Sequence, residues 1–137
     1  MRSGTLVDSN VLLDIFTEDP TWSDWSSEAL AVAAESGPMY VNPIVYAEVS
    51  IRFSRVEDLE EVLPPRDFRR APLPWPAAFL AGKAFMAYRR NRGTASVPLP
   101  DFFIGAHAAV DDLALLTRDD RQYRTYFPTV QLIAPHT

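Results

Sequence analysis

The chain has 137 residues, enough for one domain with a sizeable buried core and no need of staples. It has no cysteine, which excludes zinc ribbons, iron–sulfur sites, thiol catalysis and disulfide frameworks. Its 18 acidic and 13 basic residues leave a net charge of −5, which at first sight disfavours a phosphate-bearing partner. In chain order, Thr5, Leu6 and Val7 read as a short buried strand that runs into Asp8, and residues 10–16 as a first short helix. After the turn at Asp19-Pro20, residues 21–36 read as a helix closed by Gly37-Pro38. MYVN, 39–42, is a second strand, after which Asn42 caps a helix that takes Pro43 in its first turn and runs to about Ser54. VEDLEEVL, 56–63, is a short amphipathic helix with Val56, Leu59 and Leu63 on one side.

Proline then interrupts the chain, and RDFRRAPLPWP, 66–76, reads as a connection with room for one short edge strand. Residues 76–91 form a long helix that ends in basic residues and Gly93, and TASVPLP, 94–100, is a loop. A helix at 101–111, a strand at 114–117, a short helix at 120–126 and a last strand at 130–134 complete the pattern. Strands and helices that alternate at these lengths predict one α/β domain over 1–137, its mainly parallel central sheet flanked by helices. No apolar run nears the roughly 20 residues that span a bilayer. The start, MRSG, lacks the order of a signal peptide, so no membrane association and a cytoplasmic home are expected.

A carboxylate at the end of a core strand needs a reason. Alone, Asp8 could simply cap the next helix. In an open parallel sheet, however, functional groups gather beyond the carboxyl ends of the strands. Asp8 ends the first strand, and LLTRD brings Asp119 just past the strand at 114–117. Glu48 lies near the second turn of a helix that starts at that same edge, among apolar and small neighbours, and Asp101 opens the helix leading back to 114–117. Four gathered carboxylates repel one another unless a cation neutralises them. An all-oxygen set suits Mg2+ or Mn2+, and such a site can activate water for attack on phosphate. Asn10 and Thr117 stand beside the acids as groups that could orient them.

DSN at 8–10, the Glu of PIVYAEVS, PDFFIGAHA at Asp101 and LLTRD followed by YFP resemble the PIN-domain ribonucleases, and among them the VapC toxins of bacterial toxin–antitoxin pairs. DSN stands where DTN is common. The resemblance implies a PIN-like nuclease domain that cuts RNA with Mg2+ or Mn2+ held by Asp8, Glu48, Asp101 and Asp119. It also implies a homodimer silenced by a cognate VapB-type antitoxin. The alternative is a catalytically silent PIN-like module that only binds a partner protein. A haloacid-dehalogenase-type phosphatase would want Asp where Asn10 stands. A receiver domain would want a Lys at the end of a late strand, and the one Lys, Lys83, is inside a helix.

With four acids committed to a metal, the remaining 14 face 13 bases, so the rest of the surface is nearly neutral. Twelve of those bases are Arg, and eleven of these fall in clusters at 52 and 55; 66, 69 and 70; 89, 90 and 92; and 118, 121 and 124. Each cluster is read first as solvated ion pairs, with Arg118 the one named as a weak substrate contact. His107 falls about 240° from Asp101 around its helix and is read as packing, while Gly105 and Ala108 share the Asp101 face and would leave room for metal or substrate. Asp14, Asp111, Asp112 and Asp120 are read as surface acids, Asp120 also as a possible auxiliary ligand. Trp22 and Trp25 begin a stripe with Ala29, Val32 and Ala33 that is read as core, or else as a partner groove shared with the VEDLEEVL helix.

Overall fold

The structure, a computed structural model, describes residues 4–91 and 96–135; Arg92, Gly93, the first two residues of the 94–100 loop and His136 lie outside them. Five strands, β1 (Thr5–Val7), β2 (Met39–Val41), β3 (Phe68–Arg70), β4 (Ala114–Leu116) and β5 (Leu132–Ile133), pair in the order β3-β2-β1-β4-β5, all parallel. Helices α1 (Ser9–Phe16), α2 (Ser23–Ser36), α3 (Pro43–Ser50), α4 (Val56–Val62), α5 (Trp75–Asn91), α6 (Leu99–Val110) and α7 (Arg121–Tyr126) make the connections and flank the sheet. The predicted α/β class and the order of elements therefore hold, including the short edge strand within RDFRRAPLPWP.

The central strand is apolar on both faces because helices cover both: Thr5, Leu6 and Val7 are all buried. Around them Val11, Leu12, Val41, Val45, Leu115 and Leu116 are almost wholly excluded from water. Asn42 caps α3 as expected, its Oδ1 accepting the Val45 N–H at 2.9 Å. Helix α3 stops at Ser50, four residues early, and the chain turns through Phe53, whose ring meets Phe16 edge to face at 6.0 Å. Helix α6 starts at Leu99, so Asp101 lies inside its first turn and does not cap it. α5 and α6 pack through aromatic rings, Phe85 and Tyr88 each 5.3 Å from Phe102, with Tyr126 and Phe127 of the last helical segment closing the cluster.

Chain order along the sheet reverses at β1. Strands β2 and β3 grow to one side, and the chain then returns through α5 and α6 to lay β4 on the other. A crevice opens beyond the carboxyl ends of strands at such a switch point. Val7 pairs with Leu116 in register, so the residues that follow, Asp8 and Thr117, emerge side by side there.

Candidate active site

Asp8 both caps a helix and faces the crevice. Its Oδ1 accepts the Ser9 N–H at 2.7 Å, which starts α1, and its Oδ2 accepts from the hydroxyls of Thr117 and Tyr123, each at 2.9 Å. The carboxylate is only 4% exposed, and its burial raises its pKa against the opposing pull of these donors. Asn10 adds its amide nitrogen, 3.4 Å from Asp8 Oδ2 and 3.2 Å from Thr117 Oγ1, while its Oδ1 accepts the Arg118 N–H at 3.1 Å. Asn10 and Thr117 thus both lie within hydrogen-bonding distance of Asp8.

Asp8, Asp101 and Asp119 line one cavity of about 200 Å3, with Ser9, Asn10, Val97, Arg121, Gln122 and Tyr123. Glu48 reaches it from α3 through Ser9, whose hydroxyl donates to Glu48 Oε1 at 2.8 Å. Burial raises the Glu48 pKa, with the field of Asp8 adding to it and the Ser9 hydrogen bond opposing. Asp101 is pushed up to about 7, first by burial and then by Asp8, Glu48 and Asp119 in turn. The four acids named from the sequence therefore act on one another electrostatically across the same edge of the sheet. Asp119 differs: the Arg121 guanidinium forks onto it at 2.9 and 2.8 Å and lowers its pKa.

The donor set fits a hard divalent cation in kind, being all carboxylate, and one member, Asp101, is raised to about 7 by burial and by a repulsion that a cation would relieve. In their present rotamers no three His, Cys, Asp or Glu side chains among the described residues are drawn tightly enough to hold one ion.

Several sequence readings change. Gly105 does not leave room for a ligand, since a Cβ there would collide with Cδ2 of Phe127, whose ring fills the space. Ala108 is fully buried and lines a different cavity with Asp112 and Val130. Asp14 and Asp120 are buried, not surface acids, the first held by Arg118 and Ser26 and the second by Arg124. Asp120 does not line the acidic cavity, which removes its support as an auxiliary ligand. Arg118, read as a weak substrate contact, turns its guanidinium onto Asp14. His107 packs as expected. Its Nδ1 meets the Asn42 amide nitrogen at 3.0 Å and its Nε2 meets Asp111 at 3.0 Å, so the ring carries its proton on Nε2 when neutral.

The apolar faces also shift. Leu59 and Leu63 are core residues and Val56 is exposed, so the inward side of α4 is not a partner surface. Trp25, Ala29, Val32 and Ala33 line a cavity of about 390 Å3 together with Ile133 and Ala134, with no α4 residue in its wall. Sequence reasoning passed over Tyr123 and Ser9. A usable signal existed for Tyr123, one helical turn beyond Asp119, because a buried phenol needs a polar partner. For Ser9 the only signal was its place beside Asp8.

A family model described as the PIN domain matches residues 5–128. No curated protein matches the chain. Among solved structures, the chain is similar to VapBC2 from Rickettsia felis bound to a DNA fragment from its promoter, at 16% identity and a TM-score of 0.72 over 97% of this chain and 98% of that one. It is similar to FitAcB from Neisseria gonorrhoeae, at 22% identity and a TM-score of 0.70 over 97% and 99% of the two chains. A toxin–antitoxin complex from Klebsiella pneumoniae matches at 20% identity and a TM-score of 0.68, over 97% and 98%.

Proposed function

The chain belongs to the PIN-domain family, and on that premise we propose that it is a metal-dependent endoribonuclease, the VapC-type toxin of a toxin–antitoxin pair, acting through one nuclease domain over residues 1–137. One observation carries the reading. Three acids from three different elements line a single cavity at the switch point of the sheet, and Asp101 is raised to about 7, first by burial and then by the charges of Asp8, Glu48 and Asp119. Perturbed carboxylates clustered in a cleft are a feature that functional sites share, because catalysis needs groups whose proton affinity is tuned.

Asp8, Glu48, Asp101 and Asp119 would hold Mg2+ or Mn2+. When bound, the ion supplies the acidity that activates water and the positive charge that phosphodiester hydrolysis needs. The chain's own part is preorganisation. Thr117 and Tyr123 hold Asp8 Oδ2 at fixed distance, Ser9 ties α1 to Glu48, and Asn10 keeps the strand-end loop in register. Arg121, 82% exposed at the mouth of the cavity, offers a guanidinium fork to phosphate once Asp119 is engaged elsewhere.

RNA as the substrate is supported by arginines near this mouth. Tyr88 packs 5.9 Å from Tyr126, which brings the carboxyl end of α5, with Arg89 and Arg90, beside α7 with Arg121 and Arg124. Neither Arg89 nor Arg90 has a carboxylate partner among the described residues. A homodimer is supported by Trp75 and Phe79, which are 88% and 71% exposed one turn apart on α5. A second apolar surface is a groove of about 690 Å3 lined by Pro43, Tyr46, Ala47, Ala71 and Pro72. A cognate VapB-type antitoxin is supported by the kinship in fold to toxin–antitoxin complexes and by the open apolar cavity beside Trp25. Among the described residues no helix is long and apolar enough to cross a membrane, consistent with action on cytoplasmic RNA.

The test is cleavage of RNA by the purified chain with Mg2+ or Mn2+, with EDTA, and as Asp8→Asn. Asn keeps the helix cap and brings no charge to a cation. Cleavage that needs metal and falls by at least about a hundredfold in Asp8→Asn is expected from the loss of metal-driven chemistry. A chain that binds its partner yet cleaves nothing with any divalent metal would be the silent module instead.

A further inference from the structure

Arg118 stands in the loop between β4 and α7, between Thr117, which donates to Asp8, and Asp119, which lines the acidic cavity. Its side chain turns the other way. Nε and a terminal nitrogen fork onto the two carboxylate oxygens of Asp14 at 2.8 and 3.0 Å, and Asp14 is 2% exposed. Asp14 also accepts from the Ser26 hydroxyl on α2 at 2.8 Å, and the Trp22 ring lies 5.5 Å from the guanidinium carbon. The backbone of the loop is tied to the same face of α1, since the Arg118 N–H donates to Asn10 Oδ1 at 3.1 Å and Asn10 lies one helical turn before Asp14. A loop that carries functional side chains is only as precise as the scaffold that holds it. A buried carboxylate that receives both arms of a guanidinium is a rigid anchor, which the single point charge of Lys cannot reproduce.

We propose that Arg118 is a positioning residue and not an RNA ligand: its pairing with Asp14 pins the β4–α7 loop to α1, so that Thr117 supports Asp8 and Asp119 stands at the cavity. This rests on the metal-dependent nuclease reading above. Asp14 has no access to RNA or metal, which makes it the discriminating partner.

The experiment compares Arg118→Ala, Arg118→Lys, Asp14→Asn and the double Asp14→Asn/Arg118→Ala variant with the unaltered chain. Three measurements are made: steady-state kinetics (kcat and KM) on an RNA at several salt concentrations, Mn2+ affinity by calorimetry, and amide hydrogen exchange of residues 117–120 without metal. The proposal expects kcat to fall at least tenfold in each single variant, Lys included, with KM and its salt dependence within twofold of the unaltered chain. Mn2+ should bind at least fivefold more weakly and the loop amides should exchange at least tenfold faster, with β1 amides unchanged. The double variant should be no worse than the worse single, because the pair acts as a unit. The proposal is overturned if Arg118→Ala raises KM and flattens its salt dependence at unchanged kcat while Lys restores it, or if Asp14→Asn leaves loop exchange and Mn2+ affinity as they were. Should the alanine variant fail to fold, the Lys and Asn variants decide alone. If the unaltered chain cleaves no RNA, the nuclease reading fails while loop exchange still tests the anchor.

Discussion

The phenol oxygen of Tyr123 lies 2.9 Å from Oδ2 of Asp8, a residue 115 positions away in the chain. Burial and the Asp8 charge raise the Tyr123 pKa well above its usual value, so the hydroxyl keeps its proton and acts as a donor. Tyr123→Phe removes that donor and little else. A hydrogen bond to a charged group contributes about 1.5–3 kcal/mol, so the melting temperature should fall by several degrees and Mn2+ should bind more weakly. A variant with unchanged melting and unchanged Mn2+ affinity would mean that the phenol does not hold Asp8.

The metal-free protein should lose stability as pH rises from about 4 to about 7. Asp101 has a folded pKa of about 7 against an ordinary value of 3.8. Below both values it is protonated in either state; between them the unfolded chain releases the proton that the fold retains, so folding grows less favourable, and above about 7 the penalty is constant. Burial pushes Asp8 and Glu48 the same way, whereas Asp119, lowered by Arg121, contributes stability above the ordinary carboxylate pKa and loses it as pH falls. Asp101→Asn should flatten this slope and melt higher than the parent at pH 8, while RNA cleavage drops by about a hundredfold or more. Melting curves from pH 4 to pH 8 decide it: a parent that gains stability across this range contradicts the assignment.

Gly105→Ala tests why a glycine sits within α6. Helix propensity alone favours Ala by about 1 kcal/mol. The added methyl would meet the ring of Phe127, which is 3% exposed and packed on Phe102, so it has no free side to swing toward. Overpacking of this kind costs about 1–3 kcal/mol, and the net should be destabilising. Denaturant titration that finds the variant as stable as the parent would show that the ring can step aside.

Arg89→Glu combined with Arg90→Glu should weaken RNA binding at least tenfold and leave kcat at saturating RNA near the parent value. Each lost phosphate contact on a single strand should reduce the slope of log affinity against log salt by about 0.7. Binding curves at three salt concentrations suffice. An unaltered slope would move the RNA path away from the end of α5.

Trp75→Ser combined with Phe79→Asp should convert a dimer to a monomer without lowering the melting temperature of the separated chain, since both side chains face water in the isolated fold. Light scattering across a concentration series reads the mass. A parent that is monomeric at every concentration would leave the exposed stripe to some other partner.

Much of this protein is written in local spacing. The alternation of short apolar runs with helical stretches, the Pro and Gly stops and the Asn42-Pro43 start are decided by neighbours within a few residues, and so they could be placed before any coordinates. Parallel strands and strand-following helices then constrain where Asp8, Glu48, Asp101 and Asp119 emerge, because topology sends every strand end to the same edge. What no local pattern contains is direction within the tertiary packing. Arg118, in the β4–α7 loop, and Arg121, which opens α7, are three residues apart, yet one is committed to a buried acid on α1 and the other to Asp119 at the cavity mouth. Gly105 shares a helix face with Asp101, but the space beside it belongs to Phe127, which arrives from the far side of β4. Asp14 resembles any helix-surface acid until α2 and the β4–α7 loop close over it. Apart from the Arg121–Asp119 pair, these outcomes depend on contacts between residues 12 to 104 positions apart, where the burial of one side chain is set by the volume and charge of another that local periodicity cannot reveal.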